Sequence, residues 1–184
     1  MPDTPTAPFI HTSFYQFADL SDTDAVVAIV RELVEPLTGS VLVANEGISG
    51  ALAASADRIA AFEHALRTDP RLQGHFEHIS FKHSACATSP FWKVRVHKKD
   101  EIVALGVPGV TGVAPNPDRS RHLPPQAWRD LLAQDNVVVI DNRNSFEYRL
   151  GRFQNAIDPQ VDNFRDFPSY VQAHADQWKA EGKR

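Results

Sequence analysis

Val41-Leu42-Val43-Ala44-Asn45-Glu46-Gly47-Ile48-Ser49-Gly50-Ala51-Leu52-Ala53-Ala54 decides the fold, because it reads as two apolar runs around a polar turn. Val41 to Ala44 is a buried strand, Asn45 to Gly50 turns the chain, and Ala51 to Ala54 returns it as a hairpin. On its N-terminal side, Phe9 to Phe17 is rich in aromatic and β-branched residues and predicts a strand. Between them, Val26, Val27, Ile29, Val30, Leu33 and Val34 recur at helical spacing, with Asp22 or Thr23 as cap and Pro36 and Gly39 as stop. On its C-terminal side, Ser55 caps a helix from Ala56 to Arg67, with Ile59, Phe62, Ala65 and Leu66 inward. Glu77 to Lys82 and Phe91 to His97 are then extended, followed by a short run at Glu101 to Leu105. The order β-α-β-β-α-β is the ferredoxin-like, α+β pattern, and it occupies residues 1–105.

Residues 106–122 form a linker, since Pro108, Gly109, Gly112, Pro115 and Pro117 cannot sustain regular structure. A second region, 123–184, opens with a helix from Gln126 to Ala133 and a continuous β-branched run, Val137 to Ile140. Such a run suits a strand covered on both faces, hence a parallel α/β sheet. A loop and a helix around Pro168 to Lys179 follow, with no second long apolar strand, so this α/β region is expected to be incomplete and to leave an apolar sheet edge exposed.

Composition bounds the function. The 184 residues are 42% hydrophobic and 23% charged, which fits a globular chain and excludes collagen-like or coiled-coil repeats. No apolar run approaches the roughly 20 residues of a membrane span, and Met1 to Pro5 lacks the pattern of a signal peptide, so the cytoplasm is expected and no membrane partner. Cys86 is the single cysteine, consistent with a reducing compartment. A net charge of −4 offers no global attraction for nucleic acid, so any such binding must come from a local patch.

That patch lies within His78 to Lys99, where Lys82, Lys93, Arg95, Lys98 and Lys99 occur with no Asp or Glu. Strand alternation puts Lys93, Arg95, His97 and Lys99 on one face and Val94 and Val96 on the other. With Phe91 and Trp92 beside it, the face suits phosphates and a stacked base, and it suits a solvated sheet surface equally well. Other motifs weigh toward plain structure. Cys86 sits outside any glycine-rich cradle and reads as a packing cysteine. His75, His78, His83 and Cys86 are zinc-ligand types at a non-standard spacing, and no metal is expected. Gly47-Ile48-Ser49-Gly50 matches the RNA-clamping Gly-x-x-Gly loop, but that loop joins helices and this one joins strands. Glu46 is either a functional carboxylate or a turn residue.

The stretch Val137 to Pro159 resembles the first half of a rhodanese domain: an apolar strand into Asp141 and Arg143, then Glu147, then Gly151, Phe153, Ala156, Ile157 and Pro159. Asn155 stands where the pattern has Gly, a mild exchange because Asn also tolerates positive φ. Ala44 to Gly50 and Pro90 to Val103 extend the similarity to the rhodanese-domain tRNA uridine hydroxylases. The resemblance implies a ferredoxin-like or acylphosphatase-like domain ahead of a truncated rhodanese-like one, tRNA as partner, and oxygen-dependent 5-hydroxylation of the wobble uridine. Molecular oxygen is then the co-substrate and no cofactor is expected. It also implies that the family's reactive cysteine lies beyond Arg184, so the chain as given lacks a complete active site, with Asp141 and Arg143 as supporting residues. Two other readings stay open: rhodanese-type sulfurtransfer, and a non-catalytic RNA-binding module.

Overall fold

The computed structural model describes residues 8–113 and 123–183. They form two units: residues up to Val103 with Thr111–Val113, and Ala104–Val110 with the described residues after 122.

The first unit follows the order β1 (Phe9–Phe17), α1 (Thr23–Val34), β2 (Thr38–Ala44), β3 (Gly47–Ala54), α2 (Ala56–Thr68), β4 (Phe81–Cys86) and β5 (Val94–Lys98). Its five-stranded sheet runs β4-β1-β3-β2-β5, antiparallel except where β5 lies parallel to β2. The first four strands are thus the ferredoxin-like sheet, and β5 extends its β2 edge. Asp22 starts α1 by accepting a hydrogen bond from the Ala25 amide at 3.0 Å. Ser55 takes the N-cap position of α2 without a capping hydrogen bond.

Alternation along the strands sorts the sheet into two faces. Phe14, Val41, Val43, Ile48 and Leu52 meet Val30 and Val34 of α1 and Phe62 and Leu66 of α2 in one hydrophobic core. The core admits one polar network: the buried Thr12 hydroxyl donates to Glu63 Oε1 at 2.9 Å, and His83 Nε2 lies 2.6 Å from the same oxygen. With both partners present, the nearly buried carboxylate is satisfied. Gly50 faces this side too, where a Cβ would lie 2.5 Å from the Phe14 ring.

Three expected extended segments come out differently. The fourth strand begins at Phe81 rather than Glu77, because Gln73 and Gly74 turn left-handed and successive turns carry Phe76 and Ile79 into the core. No strand forms at Glu101 to Leu105; the Ile102 amide donates instead to Glu46 Oε1 at 2.8 Å. Val137 to Ile140 is only half-buried and makes a single parallel bridge, Ile140 to Ile157, since the described residues of its unit supply no neighbouring strand.

The second unit is helical where it is regular: α3 (Pro125–Leu132), α4 (Ser145–Leu150) and α5 (Phe167–Ala180). α4 falls in a segment read as loop, and the Asn144-to-Glu147 spacing that starts it was visible: the Asn144 amide donates to Glu147 Oε2 at 3.3 Å. Asn155 adopts a φ of 62°, the left-handed conformation expected of it. Among the described residues, the large apolar side chains this unit exposes are Val110, Leu123, Phe146, Leu150 and Phe153, on α4 and in loops rather than on a sheet edge. Among the described residues no helix is long and apolar enough to cross a membrane.

Candidate nucleic-acid interface

The sheet face opposite α1 and α2 carries no helix of the first unit, and register makes its composition explicit. Lys82 pairs with Ser13, Ser13 with Ala51, Ala51 with Ser40, and Ser40 with Arg95, so one row crosses all five strands with a cation at each edge. The next row runs Tyr15, Ser49, Leu42, His97. None of the strand positions on this face is acidic. Small residues make the floor, cations stand at both edges, and Tyr15 rises from the floor 52% exposed.

The face is bounded along the strand direction. At one end Ser89 Oγ lies 2.8 Å from Thr38 Oγ1, and the Phe91 ring sits 5.8 Å from that of His11. At the other, the Gly112 backbone lies so close over Phe17 that a Cβ there would come within 2.2 Å of the ring. Glu46 holds the chain leading to that contact, accepting from the Ile102 amide at 2.8 Å and from Thr111 Oγ1 at 3.4 Å. Glu46 is therefore a tether. Between the ends, Ser13, Tyr15, Phe17, Ser49, Ser80 and Lys82 line a depression of about 660 Å³.

Of the five basic residues singled out in the sequence, Lys82 and Arg95 sit on this face, and Lys93 and Lys99 continue the alternation of β5 at its two ends. Lys98 belongs to the opposite side, with Nζ 2.8 Å from Asp24 of α1. Trp92, next to Lys93, is fully exposed. Ser13, Tyr15, Ser40 and Ser49 were missed by sequence reasoning, because alternation sorts the faces within one strand and only register brings these strands' faces together with Lys82.

The other candidate groupings separate. His83 points to Glu63 on the helical side of β4, whereas Cys86 alternates to the other side, its Sγ 3.7 Å from the Ser84 carbonyl. Gly47 and Gly50 both lie within β3, so the Gly-x-x-Gly match is strand rather than clamp.

In the second unit, Arg143 grips Asp141 with two hydrogen bonds, Nε to Oδ1 at 2.8 Å and Nη2 to Oδ2 at 2.6 Å, and donates to the Gly151 carbonyl at 2.6 Å. These bonds hold the Asp141 carboxyl below its usual range and raise the guanidinium, so both groups are charged at neutral pH. The pair lines a cavity of about 540 Å³ with Trp128, Val139, Arg152 and Phe153. Trp128 Nε1 is buried there without a hydrogen-bond partner.

Residues 9–102 match the UPF0176 acylphosphatase like domain. The chain belongs to that family. The UPF0176 match covers all five strands and both helices of the first unit, so the open basic face is part of the shared domain. Over 100% of its length the chain is 42% identical to a tRNA uridine(34) hydroxylase of Deinococcus radiodurans, covering 59% of that protein. Over 89% it is 36% identical to a tRNA uridine(34) hydroxylase of Legionella pneumophila (strain Corby), covering 62%. The chain thus spans about 60% of the length of the curated relatives it matches. An acylphosphatase from Coxiella burnetii aligns over 52% of this chain and 100% of its own, at 14% identity and a TM-score of 0.30.

Proposed function

We propose that this chain serves the oxygen-dependent 5-hydroxylation of the wobble uridine of tRNA, in the cytoplasm, with tRNA as its macromolecular partner and molecular oxygen as co-substrate. The observation that carries the reading is 42% identity along the whole chain to a protein named tRNA uridine(34) hydroxylase. The basic, helix-free face of the first unit supports it, since a chain of net charge −4 has gathered cations on one sheet surface.

In this reading the first unit holds RNA and the second is the beginning of a rhodanese-like domain. Asp141 and Arg143 are positioning residues: they follow the apolar run Val137 to Ile140, and Arg143 ties that point to Gly151.

The test is deletion of the complete gene, followed by mass spectrometry of nucleosides from purified tRNA. Loss of the nucleosides that carry oxygen at C5 of uridine 34, restored by the gene in trans, is expected. Unchanged amounts of those nucleosides would contradict the reading.

A further inference from the structure

We propose that the open sheet face binds a single-stranded RNA segment that crosses the strands from the β4 edge to the β5 edge. Lys82 and Arg95 meet phosphates at the two edges, and Tyr15 stacks on an unpaired base between them. This deepens the tRNA reading above and rests on it.

Three observations set the direction and the class of ligand. The face is closed along the strands, by Ser89 and Phe91 over Thr38 and His11 at one end and by Gly112 over Phe17 at the other. It is open across them, because β4 and β5 are edge strands whose outward positions hold Lys82 and Arg95 in one row. A linear anion therefore enters over one edge cation and leaves over the other, a path of roughly 19 Å at the usual spacing of strands.

The floor decides between single strand and duplex. Ser13, Ala51, Ser40 and Ser49 are too small to reach into a groove, and the two open rows lie only about 7 Å apart along the strands. Of the inner positions of these rows, Tyr15 alone is aromatic, and it is half exposed, so it offers a ring face. Paired bases hide their faces inside the stack, whereas unpaired ones present them to aromatic side chains. The serine hydroxyls supply short-range donors for phosphate or ribose oxygens without adding charge. Lys98 is the internal contrast: it sits on the same strand as Arg95, one side-chain face away, and is engaged by Asp24.

The experiment measures binding of the full chain to a tRNA transcript, to its anticodon stem-loop, to a short unpaired oligonucleotide and to a continuous RNA duplex, each at several salt concentrations. The stem-loop and the unpaired oligonucleotide are expected to bind at least tenfold more tightly than the duplex. Lys82→Gln and Arg95→Gln should each lower affinity and reduce the salt slope by about 0.7, as for one phosphate contact on a single strand. Tyr15→Ala should weaken binding between about fivefold and a hundredfold, with little change in slope. Lys98→Gln should stay within twofold of the parent. All four positions are exposed, and thermal melting verifies that each variant folds. Equal affinity for duplex, or a loss in Lys98→Gln matching that in Arg95→Gln, overturns the single-strand path while leaving the deletion phenotype intact. Absence of tRNA binding together with unchanged modified nucleosides in the deletion strain would instead remove the reading on which it rests.

Discussion

Gly47→Val is expected to destabilise the first unit by at least about 3 kcal/mol, a large share of the ~5–15 kcal/mol that holds a typical domain together. Gly47 opens β3 directly after the two-residue turn and has a φ of 140°, a conformation that strains any residue with a Cβ. A Cβ there would also fall 2.1 Å from the Gln16 carbonyl oxygen and 3.0 Å from the Ala18 nitrogen. Those are backbone atoms of the β1 strand and its exit, so relief requires the β1-β3 ladder to move. Gly74→Ala is the natural control. Its φ of 75° is also positive, but nothing lies within 4 Å, so only the conformational cost of about 1 kcal/mol applies. Native-state hydrogen exchange at the slowest amides of β2 and β3 reads both values, and equal losses in the two variants would show that the close approach to Gln16 is unimportant.

Phe76→Ala should cost about 3–5 kcal/mol, the range for removing a buried phenylalanine and leaving a cavity. Phe76 has no exposed surface, although it stands in a run of turns between α2 and β4 rather than on a regular element. The core cluster contains it together with Leu72 and Ile79 from the same connection, so the connection is a structural part of the core. Trp92 is the counterweight, larger and yet completely exposed, and Trp92→Ala should change stability by no more than about 0.5 kcal/mol. The same exchange measurement distinguishes the two, and a Phe76→Ala loss below 1 kcal/mol would mean that the turns can collapse into the space.

The comparison of these two residues also shows what sequence patterns reveal and what they hide. The β1, α1, hairpin and α2 elements were legible because each buries one face at a regular period, and tertiary packing agrees with local preference there. Ile79 was assigned to a strand, Glu77 to Lys82, because an apolar alternation in an irregular connection looks the same as one in a strand, and Phe76 just before it was not singled out at all. Only the left-handed Gln73 and Gly74, invisible to periodicity, separate them. Val137 to Ile140 shows the reverse error: four β-branched residues favour extension, but a strand exists only where a neighbour supplies hydrogen bonds, and Ile157 supplies a single bridge.

The open sheet face proposed to bind RNA was legible in part for the same reason. Charge drew attention to Lys82, Lys93, Arg95, Lys98 and Lys99 in a row of sequence, and alternation along one strand could separate Lys98 from Arg95. Ser13, Tyr15, Ser40 and Ser49 come from three strands, and their meeting with Lys82 depends on register, which a single sequence does not print. Glu46, equally ambiguous in the sequence, is resolved as a tether by the Ile102 amide and Thr111 hydroxyl it holds.

The most direct measurement of the central claim, that RNA lies on the open face of the sheet, is ultraviolet crosslinking of the full chain to tRNA, with the modified peptides located by mass spectrometry. Crosslinks at Tyr15 and in the peptides containing Lys82 and Arg95, joined to nucleotides of the anticodon loop, are the predicted result. Crosslinks confined to α1 and α2, with β1 and β4 unmodified, would contradict the account.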